Sequence, residues 1–260
     1  MTGAGLHPLW RGLLDLLYPP RCEACGRLRR EPFCQTCRDQ VAWVRLPLCT
    51  VCGEAFDPLA QAAPACARCR RARLPFTRAR AAAHYEGPLV AAVRRFKYQG
   101  QTVLARAFGR IMLEALEAGA ADLKPDEMDV ICPVPLHELR LRERGFNQSH
   151  LLAEELGAAL GKPVASLLRR TRPTLPQVEL PPASRIVNVQ GAFEPRLEEE
   201  IAGRRVLLVD DLFTTGATLR ESARALRRGG AAEVRVFTLA RPIPLWRRPA
   251  RDAAAAQKQP

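Results

Sequence analysis

The stretch that most restricts the fold runs from Arg205 to Leu219 and reads RVLLVDDLFTTGATL. Val206 to Val209 form an unbroken apolar run of valine and leucine. Such a run suits a strand buried on both faces, as in a parallel sheet, and not the alternating pattern of a half-exposed strand. Two carboxylates, Asp210 and Asp211, stand where that strand should end. Thr214, Thr215, Gly216, Ala217 and Thr218 follow. An amphipathic segment comes next, with Leu219, Ala223 and Leu226 on one face, and Gly229 and Gly230 stop it. A small, hydroxyl-rich turn that opens a helix presents backbone N–H groups and the positive end of the dipole, and these hold a phosphate. The adjacent carboxylates would accept hydrogen bonds from vicinal hydroxyls. Phosphate beside a diol describes a sugar phosphate. The plainer alternative is a buried strand with an Asp-Asp helix cap and no ligand.

The same stretch resembles the motif with which type I phosphoribosyltransferases bind 5-phosphoribosyl 1-diphosphate (PRPP). That pattern is four apolar residues, two acidic ones, two more residues and then T-T-G-x-T. It is met here by Val206–Val209, Asp210, Asp211, Leu212, Phe213 and Thr214–Thr218.

Eight of the nine cysteines form four C-x-x-C pairs: Cys22/Cys25, Cys34/Cys37, Cys49/Cys52 and Cys66/Cys69. Each such turn offers two thiolates to one ion, and two turns complete a tetrahedral site of four cysteines. Four of them in so short a span, without an export signal, point to two structural Zn2+ ions and not to disulfides. Consecutive pairing makes two successive zinc ribbons; crossed pairing, as in RING-like modules, stays open. Pro47, between the halves, favours the consecutive form. So small a module has few core residues, mainly Phe33, Val41, Trp43, Val44 and Phe56. Cys132 stands alone in VICPVP as a core thiol. The four histidines show no ligand spacing.

Charge separates the chain into parts. Residues 1–80 carry 13 Lys and Arg against 6 Asp and Glu, residues 81–240 carry 22 against 20, and residues 241–260 carry 5 against 1. The basic excess therefore sits at the two ends, which suits a polyanionic partner such as nucleic acid or an anionic membrane surface. An Arg-rich composition serving solubility explains it equally well. No apolar run is long enough to span a bilayer, so stable membrane insertion is not expected. Leu6, Leu9, Leu13, Leu14 and Leu17 could stripe a short docking helix. The N-terminus lacks a signal-peptide layout, and a cytoplasmic location is expected.

Taken in order, the chain reads as an N-terminal amphipathic segment (1–20), a double zinc ribbon (21–75), an α/β domain (78–240) and a disordered basic tail (241–260). Within the α/β part, ARAAAHYEG predicts a strand. Helices are predicted over 89–98, 104–116 and 149–160. Further strands are predicted over 129–134, 163–168 and 233–240. Arg140, Arg142 and Arg144 fall in a basic turn with Phe146. The stretch 169–191 is a long irregular connection, either a functional loop or disordered. Strand–helix alternation implies a parallel sheet with helices on both faces. Ligands of such sheets bind at the carboxyl ends of the strands, where both Val134-Pro135-Leu136 and the Asp210–Thr218 segment lie.

The order of motifs narrows the resemblance. Four C-x-x-C knuckles, then HYEGPL, FKYQG, PVPLHELRLRERGFNQ, a loop with Asn188 and GAF, and VLLVDDLFTTGATL together resemble the ComF family from about Tyr18 to Ala240. The resemblance implies a double zinc ribbon joined to a type I phosphoribosyltransferase-like domain. It also implies a role in natural transformation, handling incoming single-stranded DNA beside a helicase-like competence protein and recombination proteins. On matched positions it implies that Asp210 and Asp211 contact ribose hydroxyls and that Thr214, Thr215, Gly216, Ala217 and Thr218 hold the 5′-phosphate. Val134, Pro135 and Leu136 would lie by the pyrophosphate, with Mg2+ bridging and with Arg144 and Lys97 neutralising charge. The alternative is an active transferase moving ribose 5-phosphate to an acceptor. Candidate nucleic-acid contacts are Arg140, Arg142, Arg144 and Phe146. Phe33, Trp43 and Phe56 are candidate stacking residues whose other reading is core.

Overall fold

A computed structural model describes residues 19–57, 64–118, 120–174, 181–196, 200–244 and 247. The expected leucine-striped helix and nearly all of the basic tail lie outside these residues. In chain order, α1 (Gln35–Asp39) and α2 (Ala67–Arg71) belong to the cysteine-rich front. Then come β1 (Arg78–His84), α3 (Pro88–Tyr98), α4 (Leu104–Ala118), β2 (Val130–Pro133), α5 (Glu138–Arg144) and α6 (Gln148–Leu160). The chain continues with β3 (Leu168–Arg170), α7 (Pro182–Val189), β4 (Phe193–Pro195), β5 (Arg205–Leu212), α8 (Ala217–Arg228) and β6 (Glu233–Arg241).

Four strands form a parallel sheet in the order β1-β6-β5-β2, with Val209 opposite both Phe237 and Pro133. β5 is internal, which is why its apolar run does not alternate. Leu207 and Val209 point into a core with Leu89, Phe96, Phe108 and Leu152, from α3, α4 and α6. Val206 and Leu208 point into the other core with Leu219, Ala223 and Leu226 of α8 and with Phe193. The expected α/β class, with helices on both faces of a parallel sheet, is what the residues build.

Three local expectations change. Of the strand expected at 163–168, a single parallel bridge from Val164 to Ile131 remains, because Leu168–Arg170 pairs antiparallel with β4 instead. The stretch expected to be irregular from 169 to 191 contains α7, which starts at consecutive prolines, where the missing N–H costs nothing. The expected basic turn is α5, closed by Gly145 at φ 80°.

The cysteine-rich front shares its core with the sheet. Phe33 packs edge-to-face on Phe108, with centroids 6.2 Å apart. Val44 N donates to the Ala82 carbonyl (3.1 Å), and His84 N to the Ala42 carbonyl (2.7 Å), so the front covers the outer edge of β1. An uncovered edge would offer unpaired backbone groups to other chains. Gly53, at φ +67°, lies so close to Ala79 that a Cβ would come 2.5 Å from the Ala79 carbonyl oxygen. Arg241 Nη1 donates to the Cys52 carbonyl (3.0 Å) and Arg80 Nη1 to the Cys49 carbonyl (3.2 Å), tying the third knuckle to β6 and to the edge strand β1.

Candidate functional site

The cysteines gather as Cys22, Cys25, Cys34 and Cys37, and as Cys49, Cys52, Cys66 and Cys69; in each group the sulfurs lie within 4.8 Å of one another. The grouping is therefore consecutive. A tetrahedron with Zn–S bonds of about 2.3 Å has S···S edges of about 3.8 Å. The sulfurs of Cys22 and Cys37 are 3.7 Å apart, those of Cys25 and Cys34 3.9 Å, and those of Cys52 and Cys66 3.7 Å. Backbone N–H groups also face the sulfurs, Cys34 N to Cys22 (3.4 Å) and Cys66 N to Cys49 (3.3 Å), as thiolates favour. The donor sets fit two structural zinc ions. Cys132 is fully buried in β2, and burial pushes its thiol up to about 12, which leaves it an inert core group.

The acidic pair is made at the end of β5, inside the strand and not beyond it. Asp210 and Asp211 are both buried. Asp210 Oδ1 accepts from Ser149 Oγ (2.7 Å) and from the Asp211 backbone N–H (2.9 Å). Asp211 is ion-paired with Lys97 of α3. Burial and the Asp211 charge push Asp210 up to about 7, against the pull of Ser149 and Lys97. Burial alone would lower Lys97, but the charge and hydrogen bond of Asp211, with the Asp210 charge, together outweigh it and the ammonium is held above its ordinary value. Two carboxylates thus share one buried site in which a single lysine balances a single charge.

The turn after β5 depends on one glycine. Gly216 sits at φ +74° as the N-cap of α8, and a Cβ there would meet the Phe213 ring at 2.8 Å. Phe213 is itself fixed by Phe76 edge-on (6.4 Å) and by the Arg241 guanidinium over its face (5.4 Å). Thr214 is exposed and Thr215 half-buried; Thr215 Oγ1 accepts from Ala217 N (3.3 Å). Gly216→Ala combines a left-handed backbone with overpacking and should cost about 2–4 kcal/mol. Thermal unfolding measures it, and an unchanged melting temperature would contradict the geometry.

The RGFNQ segment assembles the rest. Arg144 donates to Gln148 Oε1 and lies 5.4 Å over the Tyr98 ring. Asn147 caps α6 through Ser149 N (3.0 Å) and donates to the Val134 carbonyl (3.0 Å). Val134 N reaches the Val209 carbonyl (2.9 Å), so the Val134-Pro135-Leu136 turn stands beside the end of β5. Arg144 is lowered by burial, with Asp211 and Tyr98 opposing.

Two groups escaped the sequence reading. Ser149, buried, comes to Asp210 from another helix, and nothing local distinguishes a serine that does so. Arg170 of β3 stacks 5.3 Å over Phe193 and leaves its buried Nε without a hydrogen bond. Burial lowers its guanidinium to about 10; the Asp210 charge opposes this, and the nearby Arg140 and Arg172 charges add to it. Of the candidate nucleic-acid contacts, Phe146 is half-buried, with its ring 5.7 Å from that of Phe96. Arg140 pairs with Glu143 (3.1 Å) and Arg142 with Glu138 (3.8 Å), both pairs at least partly open to solvent.

No described helix is long and apolar enough to cross a membrane. Residues 13–72 match the double zinc ribbon domain model, and residues 149–255 match the phosphoribosyl transferase domain model. The chain is 32% identical to competence protein F of Haemophilus influenzae, over 85% of this chain and 96% of that one. It is 33% identical to DNA utilization protein YhgH of Salmonella typhimurium, over 94% and 100%. To competence protein ComFC of Bacillus subtilis it is 30% identical, over 92% and 98%. With the two zinc-fitting cysteine centres in front of a parallel sheet that carries an acidic pair and a glycine turn, the chain belongs to the competence protein F (ComF) family.

Proposed function

We propose that the protein binds single-stranded DNA in the cytoplasm during natural transformation, and that its α/β domain holds PRPP or a related sugar phosphate. The observation that carries the sugar-phosphate part is the meeting of buried Asp210 and Asp211 with the Gly216 turn. The carboxylates accept from the ribose hydroxyls, and the turn's N–H groups take the 5′-phosphate. Lys97, Arg144 and Arg170 supply cationic charge for the diphosphate. Mg2+ takes oxygen donors and shares them with substrate phosphates, so Asp210 and Asp211 are the residues that would hold it. The DNA part is supported by the printed roles of the relatives in competence and DNA utilization, and by the basic front of the chain. A helicase-like protein and recombination proteins are the partners this reading calls for.

A second reading, turnover of PRPP to an acceptor, is favoured by Arg144 and Arg170, whose guanidinium charges act on the acidic pair and would suit a departing pyrophosphate. Pyrophosphate release from PRPP, screened against a panel of bases and single-stranded DNA, separates the two. The DNA reading has its own test. Affinity for oligothymidylate should fall with salt, with a log–log slope of roughly −0.7 for each phosphate contact. A slope near zero, or no binding at low salt, contradicts it.

A further inference from the structure

The zinc module and the sheet meet in a cleft that the sugar-phosphate site does not use. Its volume is about 370 Å³, within the range of small-molecule sites, and Trp43, Phe56, Arg45, Leu46, His84 and Arg247 line much of it. Trp43 packs against one hydrophobic core and Phe56 against the other, and each stays half-buried at the cleft. Leu46 is 71% exposed at its rim, and Arg45 is exposed beside it. None of the described lining residues is acidic. Glu86, outside the lining, pairs with Arg247 at 3.3 Å. Burial, reinforced by Arg247 and Arg241, lowers His84 to about 4, so its imidazole is neutral near pH 7. The cleft thus joins two aromatic surfaces from separate turns of the zinc module with cationic charge at the edge.

We infer that this cleft is a base-stacking subsite for single-stranded DNA, taking one unpaired nucleobase against Trp43 and Phe56 with the adjoining phosphates on Arg45 and Arg247. The inference rests on the DNA-binding reading above and says where on the chain the strand lies. Aromatic faces beside a cationic track are the combination that binds single strands without sequence preference, because every base has a π-face. A duplex must first unpair and unstack a base before a recess can take it, which costs a few kcal/mol, so a single strand is favoured. A helical peptide would need a longer apolar groove with anchors at helical spacing.

The test uses the full-length, zinc-loaded protein and fluorescence anisotropy with three probes: oligothymidylate, an abasic oligomer of equal length, and thymidine monophosphate. The wild type should prefer oligothymidylate to the abasic strand, because only the former offers bases to stack. Trp43→Leu should weaken oligothymidylate binding by about fivefold to 150-fold, the range that stacking one base supplies, and leave the salt slope unchanged. Phe56→Leu should act in the same direction, and Trp43→Phe should restore most of the loss. Arg45→Ala should flatten the salt slope by about 0.7 and keep the preference for bases. Zinc content and circular dichroism report whether each variant is folded; if Trp43→Leu is not, Phe56→Leu and Trp43→Phe carry the comparison. A folded Trp43→Leu or Phe56→Leu that keeps the full wild-type preference overturns the inference and leaves DNA binding standing. Thymidine monophosphate bound as tightly as the strand also overturns it. A wild type that binds neither strand removes the DNA-binding reading itself, and the subsite with it.

Discussion

Replacing Asp210 and Asp211 together by Asn should abolish the thermal stabilisation that PRPP with magnesium gives the wild type, while the unliganded protein stays folded. Ligand at about 100 times its dissociation constant stabilises by about 2.7 kcal/mol, and for a chain near this size each kcal/mol moves the melting temperature by about 2–4 °C. The wild-type shift is therefore easy to read, and its loss is too. The single variants differ in a way that the ion pair dictates. Asp211→Asn leaves Lys97 buried without its partner and should destabilise the unliganded protein. Asp210→Asn should not, and above pH 7 it should stabilise.

The sign follows from linkage. The folded pKa of Asp210, about 7, lies above the ordinary aspartate value of 3.8. Between those two values the folded state holds a proton that the unfolded state has lost, so stability falls as pH rises through this window. Above about 7 both states are ionised, and the cost of burying the second charge is fully present. Asn removes that cost, so the pH dependence should flatten in Asp210→Asn. A steep dependence that persists in this variant would assign it to another group. Unchanged PRPP stabilisation in the double variant would remove the site.

Stripping the metal should have the other large effect, and it should reach past the cysteine-rich front. Structural zinc contributes about 10–16 kcal/mol per site in small modules, as much as the whole stability of an ordinary domain. Two equivalents of zinc are expected from the two tetrads. An autonomous front would unfold alone after chelation and leave the sheet intact. Here Ala79 N donates to the Val51 carbonyl (2.7 Å) and His84 N to the Ala42 carbonyl (2.7 Å), so these β1 amides depend on the front for their partners. Hydrogen exchange after chelation should show both amides deprotected, while amides of β5 and β6 in the sheet interior stay slow. One equivalent of zinc, or protection unchanged at Ala79 and His84, contradicts this account.

The parts of the fold that could be read from the sequence are those whose cause is local. Val206–Val209 names a doubly buried strand because both neighbours in space demand apolar contacts. Asp210 through Thr218 names a ligand turn because strand end, carboxylates and helix start are contiguous. The C-x-x-C pairs state their own coordination. The strand's length was less legible: Asp210 and Asp211 continue the β5 ladder to Leu212, since backbone pairing with β6 does not depend on which side chains it carries. What stayed hidden depends on packing between distant segments. Ser149 reaches Asp210 across 61 positions of chain. Arg170 stood in an arginine-rich stretch in which no spacing singled it out, and its role comes from Phe193 and the β3–β4 ladder. α7 was obscured because prolines that usually mark loops here open a helix. Phe146 was readable as either stacking surface or core, and its contact with Phe96, on α3, has no local signal. The front's small core looked self-contained because Phe108, its main partner, lies in α4.

The central claim is that a phosphorylated pentose is held between the twin carboxylates of β5 and the glycine turn that opens α8. A crystal structure of the protein grown with PRPP and magnesium tests it most directly. The account predicts the 5′-phosphate on the backbone N–H groups of residues 214–218, with ribose hydroxyls within hydrogen-bonding distance of Asp210 and Asp211. An empty turn beside a saturating ligand, or a sugar diphosphate seated elsewhere on the chain, would contradict it.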